Sequence, residues 1–251
     1  SELRRSILEG TVDLASSEIP MRFKPAVNAL RRVEGAKADL YEGVMNAISG
    51  EEWLGKIRST KKGTSPGLSG ESIDMLGSLD DDCSDLVRRV CNFALRSKRV
   101  FWQWKRRAKC RIPKVPGNPD VALSRPISLL SVTGKVFWSV LSDRITRVWR
   151  EHGLLHKQQY GSTKGVNTTE PLIIATLAAE QCYDLKQPRI IISQDISKAF
   201  DSVSRNLKRL AFGRLGLPDQ FCALFGEREA FSRTVVVTAH GTAVVVLGEE
   251  G

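Results

Sequence analysis

Cysteine and histidine are scarce in this sequence, which limits the metal and disulfide chemistry that it can support. Its 251 residues include five cysteines, and no two of them form a Cys-x-x-Cys pair. An odd, scattered set argues against a disulfide framework and against a cysteine-based zinc site. His152 and His156 have a helical metal-binding spacing, but Gly153 lies between them and no third ligand is near. We therefore expect reduced cysteines, surface histidines and an intracellular protein.

Long apolar runs are also absent. No run approaches the roughly 20 residues that a membrane-spanning helix needs, and no signal peptide is visible. The hydrophobic fraction of 41% is still enough for a sizeable core in one or two domains. Because the chain starts at Ser1 and stops at Glu249-Glu-Gly251, we expect it to be an excerpt of a longer protein.

Acidic residues are outnumbered by basic ones, 28 to 38, which gives a net charge of +10. This balance favours a polyanionic partner, either nucleic acid or an anionic membrane surface. Residues 96–111 hold eight Lys or Arg, interleaved with Phe101, Trp102 and Trp104. Such a mixture suits phosphate neutralisation and base stacking, and the alternative is a solvated face around a buried tryptophan. We expect Trp104 in the core and basic residues, among them Arg106 and Arg107, at phosphates.

Hydrophobic periodicity predicts mainly helices, followed by one β-hairpin. Residues 1–58 look helical, with periodic segments over 23–33 and 36–48. Further helices are predicted near 71, then over 82–96, 132–150, 171–183, 206–215 and 219–231. In the 132–150 helix, one apolar face is predicted to be buried, and it contains Val136, Val140, Leu141, Ile145 and Val148. Residues 232–247 are predicted to form a hairpin that turns at 239–241.

One stretch carries a candidate for chemistry. The apolar run Ile190–Ile192 is typical of a buried strand, and Asp195 follows it at the expected strand end. Ligands and ions collect at such sheet edges in α/β folds, whereas an isolated aspartate there is more often a helix cap. The segment offers carboxylate and carbonyl oxygens close together, which are the ligands that Mg²⁺ prefers.

The segment Gln194-Asp-Ile-Ser-Lys-Ala-Phe-Asp-Ser-Val203 resembles the first catalytic motif of reverse transcriptases, in the variant of non-LTR retrotransposons and group II introns. Other blocks resemble the same family in the same order. They are Ser65-Pro-Gly-Leu-Ser-Gly70, Ile112-Pro-Lys114, Arg125-Pro-Ile-Ser-Leu-Leu130 and Gln159-Tyr-Gly161, although Ser162 stands where the family usually has Phe. The family's Tyr-x-Asp-Asp motif is absent from these residues.

The resemblance implies an α+β fold with the fingers and part of the palm of a right-hand polymerase. Its subdomains would be a helical N-terminal segment over 1–58, a fingers-like region over 59–185 and a partial palm over 186–251. The implied activity is RNA-directed DNA synthesis, in which a DNA primer 3′-hydroxyl attacks a dNTP on an RNA template, supported by two Mg²⁺ ions. We expect a nuclear location, no membrane partner and no polymerase activity from these residues alone.

The same resemblance assigns roles to individual residues. Asp195 and the Ile196 carbonyl would hold the metal, with Asp201 orienting the loop. Lys114 and Arg125 would clamp the triphosphate, since two cations on adjacent strands suit a polyanion. Phe200 would lie under the sugar and exclude a 2′-hydroxyl. Contacts to the nucleic acid are assigned to Gln159, Gly161, Lys164, Arg106 and Arg107.

Two alternative functions arise from the same residues. A non-catalytic nucleic-acid-binding protein on a decayed polymerase scaffold stays open, because Ser162 departs from the family pattern. A Mg²⁺-dependent phosphatase with an aspartate nucleophile needs a second Asp two residues after the first. Position 197 is serine, so we set that class aside.

Overall fold

The computed structural model describes residues 33–116, 123–163, 165–188, 190–195, 205–230, 232–238 and 241–247. The chain divides into two compact units. The first consists of Ser1–Ala36 and Val148–Gly216, and the second of Lys37–Arg147 and Leu217–Gly251. No helix in the described ranges is long and apolar enough to cross a membrane.

Helices dominate both units. They are α1 (Gly50–Ser59), α2 (Ile73–Gly77), α3 (Asp81–Ser97), α4 (Trp102–Lys105), α5 (Val132–Glu151), α6 (Thr169–Leu185), α7 (Arg205–Arg214) and α8 (Asp219–Glu229). The strands are β1 (Arg106–Pro113), β2 (Ser124–Leu130), β3 (Ser232–Thr238) and β4 (Gly241–Leu247). The predicted helices after residue 70 and the predicted hairpin are thus confirmed, with boundary shifts of a few residues.

The four strands form one sheet in the second unit, in the order β2-β1-β3-β4. β1 pairs antiparallel with β2 and parallel with β3, and β3 pairs antiparallel with β4. Pro126 lies in β2, an edge strand, where the missing N–H of proline costs no ladder bond. The expected mixed α and β structure is confirmed, while the assignment of fingers and palm stays a prediction.

The core of the second unit is built around α5. Its predicted apolar face is buried, and Phe137 and Leu141 are completely inaccessible to solvent. The aromatic rings of Trp104 and Phe137 pack with their centroids 5.1 Å apart, so Trp104 is a core residue as expected. Gly134 permits this packing, because a Cβ there would lie 2.8 Å from Cγ of Trp104.

The helix predicted over 36–48 is wrong. That segment has one 3-10 turn, Ala38–Tyr41, followed by turns, although Tyr41, Val44 and Ile48 are buried as apolar periodicity suggested. The carbonyls of Gly43, Val44, Asn46 and Ala47 accept hydrogen bonds from the guanidinium of Arg144 instead of from helical N–H groups. Arg144, which is distant in sequence, therefore supplies the hydrogen bonds that allow the backbone of this segment to be irregular.

The strand predicted at Ile190–Ile192 is also wrong. These residues have no regular secondary structure, and their side chains are 77–91% exposed. A strand needs a neighbour to pair its N–H and C=O groups. The four strands that the structure describes all belong to the second unit, whereas Ile190 to Ile192 belong to the first, whose described elements are helical.

Candidate nucleotide and nucleic-acid interface

The hairpin of β1 and β2 places the two predicted triphosphate-binding cations close together. Arg125 is the register partner of Ile112, and Lys114 lies two residues beyond Ile112, just past the end of β1. The backbone N–H of Lys114 donates to the carbonyl of Leu123 at 2.8 Å, which continues the pairing beyond the strand. Diagonal neighbours of this kind are typically about 7–8 Å apart.

Both cations are available to an anion. Lys114 and Arg125 are exposed, and neither has a carboxylate partner among the described residues. Arg125 offers a planar guanidinium for bidentate contacts, whereas Lys114 offers a compact point charge. This end of the hairpin can therefore bind a group with several negative oxygens.

The N-terminal end of β1 presents the predicted nucleic-acid contacts. The guanidinium of Arg106 lies 4.9 Å from the ring centroid of Trp102, whose side chain is exposed. Such a pair offers both a cation and a stacking surface. Arg107 is half-buried, and its Nε has no hydrogen-bond partner in the described structure. Lys105 differs, because its Nζ pairs with Glu227 at 2.7 Å.

The loop after α5 holds the predicted template contacts. Nε2 of Gln159 donates to the carbonyl of Gly161 at 3.0 Å, and the Thr163 hydroxyl donates to the Gln159 carbonyl at 2.8 Å. Ser162 has a φ of +58°, in the left-handed region that non-glycine residues rarely adopt. Internal hydrogen bonds therefore define the shape of this loop. Lys164 lies outside the described residues.

Asp195 is exposed at the end of an irregular segment in the first unit. The hairpin cations Lys114 and Arg125 belong to the second unit. The other residues predicted around Asp195, namely Ile196, Phe200 and Asp201, lie outside the described residues. Of these four residues the structure describes Asp195, and the roles assigned to all four stay predictions.

The donor chemistry of Asp195 suits a magnesium ion, since its carboxylate supplies hard oxygen ligands. One carboxylate does not make a metal site, however. The described residues contain no group of three or more His, Cys, Asp or Glu side chains placed to hold a metal. Metal binding by Asp195 therefore stays a prediction.

The Ser65–Gly70 loop fixes the junction between β2 and α5. A Cβ at Gly67 would lie 2.5 Å from the carbonyl oxygen of Leu130, so only glycine allows this approach. Gly70 has a φ of +74°, and its N–H donates to the Gly67 carbonyl. The loop resembles a linker by composition and most of its residues are exposed, but Gly67 packs against the end of the strand that carries Arg125.

Several residues that shape this region were missed by sequence reasoning. Glu71 accepts hydrogen bonds from the Ser131 and Thr133 hydroxyls at the start of α5, at 3.1 and 3.2 Å. The available signal in the sequence was an acidic residue directly after the Ser65–Gly70 loop, since a carboxylate can stabilise the N-terminus of a helix. Arg228 stacks on Trp138, and nothing in the local sequence pattern indicated that contact.

Comparison with known proteins agrees with the sequence motifs. Residues 112–240 match the family described as reverse transcriptase (RNA-dependent DNA polymerase). This region includes Lys114, Arg125, Gln159 and Asp195.

Three curated relatives are similar. The probable RNA-directed DNA polymerase from transposon BS of Drosophila melanogaster is 30% identical over 61% of this chain and 17% of its own length. The retrovirus-related Pol polyprotein from type-1 retrotransposable element R2 of Nasonia vitripennis is 28% identical over 84% of this chain and 19% of its own. The probable RNA-directed DNA polymerase from transposon X-element of Drosophila melanogaster is 34% identical over 47% of this chain and 13% of its own length.

The chain spans less than a fifth of the length of these relatives. The matched region nevertheless covers half of the chain, and it contains Lys114, strand β2 with Arg125, the Gln159 loop and Asp195. The chain therefore belongs to the reverse transcriptase (RNA-dependent DNA polymerase) family.

Proposed function

We propose that this chain supplies the fingers and part of the palm of an RNA-directed DNA polymerase of the non-LTR retrotransposon type. The observation that carries the proposal is the pairing of β1 with β2, which sets Lys114 beside Arg125, and both of these cations lie inside the family-matched region. The names of the three relatives support the same class of enzyme. The proposed subdomains are those predicted from the sequence, over 1–58, 59–185 and 186–251.

In the proposed reaction, the hairpin cations hold the dNTP. Arg125 binds the triphosphate bidentately and Lys114 neutralises its charge, so both orient the α-phosphorus toward the primer 3′-hydroxyl. The Gln159 loop and the Arg106–Trp102 pair bind nucleic acid through phosphate contacts and stacking.

Asp195 and the Ile196 carbonyl are proposed metal ligands. Magnesium, when bound, supplies Lewis-acid activation of the primer hydroxyl and stabilises charge on the phosphate oxygens. Because Asp195 is the one carboxylate that we assign to this role, we propose that the 251 residues alone do not catalyse the reaction. The remaining carboxylates would come from a longer polymerase that contains this chain.

The test is primer extension on an RNA template by that longer polymerase and by its Asp195→Asn variant. We expect extension by the first and none by the second, with equal template affinity, since a neutral amide cannot anchor divalent cations. Asp195 is exposed, so the substitution should not disturb folding. If neither protein extends a primer although both bind template, the chain is a non-catalytic nucleic-acid-binding protein. Extension by the Asn variant at the wild-type rate would remove Asp195 from the mechanism.

A further inference from the structure

A cavity of about 270 Å³ lies beside the N-terminal half of α5 in the second unit. Its walls come from α4, the end of β2, the first three turns of α5 and the last turn of α8. Two cations line it, Lys135 and Arg228, together with the hydroxyl-bearing side chains of Ser131, Ser139 and Ser142. The cavity is thus polar and basic along one side, with the tryptophans Trp104 and Trp138 completing the wall.

Arg228 is held in this wall by aromatic rings and not by a carboxylate. Its guanidinium lies 4.8 Å from the ring centroid of Trp138 and 5.8 Å from that of Phe225. Within the described ranges, neither Arg228 nor Lys135 has a carboxylate at ion-pair distance. Burial lowers the pKa of Arg228 and nearby Arg107 lowers it further, while Glu229 acts in the opposite direction.

Buried donors without partners lie around the same wall. Nε1 of Trp138, a residue that lines the cavity, has no hydrogen-bond partner in the part of the chain that is described. Leu130 also lines the cavity, and its register partner on β1 is Arg107, which pairs in turn with Thr234 on β3. Arg107 Nε and Thr234 Oγ1 are likewise buried without a described partner. Such groups are normally satisfied in native proteins, so the region behind this wall has unpaired donors and supplies no acceptor to the cavity.

The nearby acidic side chains already have partners. Asp143 on α5 pairs with Lys56 at 2.6 Å, and Glu227 on α8 pairs with Lys105 at 2.7 Å. Glu71 accepts from the hydroxyls of Ser131 and Thr133. Glu229 follows Arg228 in the chain and offsets part of its charge, but no carboxylate among the described residues lies at ion-pair distance from Arg228 or Lys135, so the cavity favours an anion.

We propose that this cavity binds a phosphate group, with Lys135 and Arg228 as its cations and the hydroxyls of Ser139 and Ser142 as neutral donors. A guanidinium, an ammonium and two hydroxyls suit the three terminal oxygens of a phosphate monoester, and the same donors can be shared between the non-bridging oxygens of neighbouring phosphodiesters in a strand. The phosphate can belong to a nucleotide or to the backbone of a single strand. The site goes beyond the proposed function, because neither Lys135 nor Arg228 has a part in nucleotidyl transfer or in holding the dNTP.

The test measures binding by the 251-residue chain with isothermal titration calorimetry. The probes are adenosine 5′-monophosphate, a single-stranded RNA of about 12 nucleotides without terminal phosphates, and adenosine as a phosphate-free reference. The variants are Lys135→Gln and Arg228→Gln, each of which removes one positive charge from the cavity wall. Arg147→Gln is the matched control, since it removes one charge from an exposed position of α5 that does not line the cavity.

We expect Lys135→Gln and Arg228→Gln each to weaken the binding of a phosphate-bearing probe about tenfold. Arg147→Gln should change this affinity much less. A loss of affinity for adenosine 5′-monophosphate identifies a nucleotide site, and a loss of affinity for the RNA identifies a backbone site. Lys135 is exposed, so Lys135→Gln decides the matter even if Arg228→Gln fails to fold. Equal effects of all three charge changes, binding of adenosine as tight as that of the monophosphate, or tighter binding of a poly-glutamate peptide would overturn the proposal.

Discussion

Arg144 on α5 forms a bidentate ion pair with Glu52 on α1, with Nε to Oε1 at 2.8 Å and Nη2 to Oε2 at 2.5 Å. Its Nη1 also donates to the carbonyls of Val44 and Asn46 at 2.8 and 2.7 Å. One guanidinium therefore joins three segments: the irregular chain before α1, α1 itself and α5. Its side chain lies outside the apolar face of α5 but is only 11% exposed.

The first prediction concerns this contact. Arg144→Lys should lower the free energy of unfolding by about 3 kcal/mol, because an ammonium cannot reproduce the fork and leaves Glu52 and the carbonyls poorly paired. Urea denaturation followed by tryptophan fluorescence measures the loss. Arg147→Lys, on the exposed side of the same helix, is the control and should leave the free energy of unfolding unchanged. Equal stability of the two variants would contradict the structural role of Arg144.

The second prediction concerns Gly67. Replacing it with alanine should destabilise the second unit by about 1–3 kcal/mol, because the new Cβ meets the backbone of Leu130, which cannot move aside as a side chain could. Gly55→Ala is the control, since no atom lies within 4 Å of a Cβ at that helical position. The free energy of unfolding of this control should rise by about 1 kcal/mol, because alanine has a higher helix propensity than glycine. Urea denaturation of both variants should show shifts of opposite sign.

Helices with their own amphipathic pattern were predictable from the sequence. The apolar face of α5 needs no distant partner to be recognised, and its predicted residues from Val136 to Val148 are buried. The pairing of β1 with β2 followed from the order of the Ile112 and Arg125 blocks in the family. Local periodicity and family motifs thus accounted for these elements.

Elements that depend on distant contacts were not predictable. Ile190 to Ile192 have strand-like composition, but a strand requires a partner that local sequence does not specify. The segment over 36–48 takes its path from Arg144, about a hundred residues away. The cavity beside α5 brings Lys135 together with Arg228, which comes from the far end of α8, and no local motif links the two.

The third prediction concerns the hairpin cations. In the longer polymerase, Lys114→Ala and Arg125→Ala should each lower kcat/KM for dNTP by about 10- to 100-fold, since each removes a charge-assisted contact to the triphosphate. Single-nucleotide primer extension at varied dNTP concentration gives the value. The matched control is Arg147→Ala. If the two variants lose template affinity but keep kcat/KM for dNTP, the hairpin binds nucleic acid instead of the incoming nucleotide.

The fourth prediction concerns Phe200, which the family resemblance places under the sugar of the dNTP. Phe200→Ala should let the longer polymerase incorporate ribonucleotides more readily, because the exclusion of a 2′-hydroxyl is steric. The observable is the ratio of kcat/KM for dNTP to that for rNTP, since discrimination is a difference in transition-state binding. Phe200→Tyr, which preserves the ring, should keep the ratio close to wild type. An unchanged ratio in the alanine variant would place the ring elsewhere.

The last prediction concerns Cys91, which is completely buried on α3. Burial, with a smaller contribution from the charge of Glu71, raises the pKa of its thiol from 9.0 to about 12. The unfolded chain therefore loses this proton first as the pH rises above 9, and the folded state keeps it. Stability should fall with rising pH across this window, by at most about 1.4 kcal/mol per pH unit from this group.

Urea denaturation at pH 8 and pH 10 measures that loss, and Cys91→Ala isolates the thiol from other groups that titrate at high pH. The alanine variant starts from a lower stability because it leaves a small cavity, but it should lose less on going to pH 10. Iodoacetamide labelling of the native protein gives an independent check, with the exposed Cys83 as the reference thiol. Cys91 should be modified only when urea opens the structure, and modification as fast as that of Cys83 would show that α3 does not shield it.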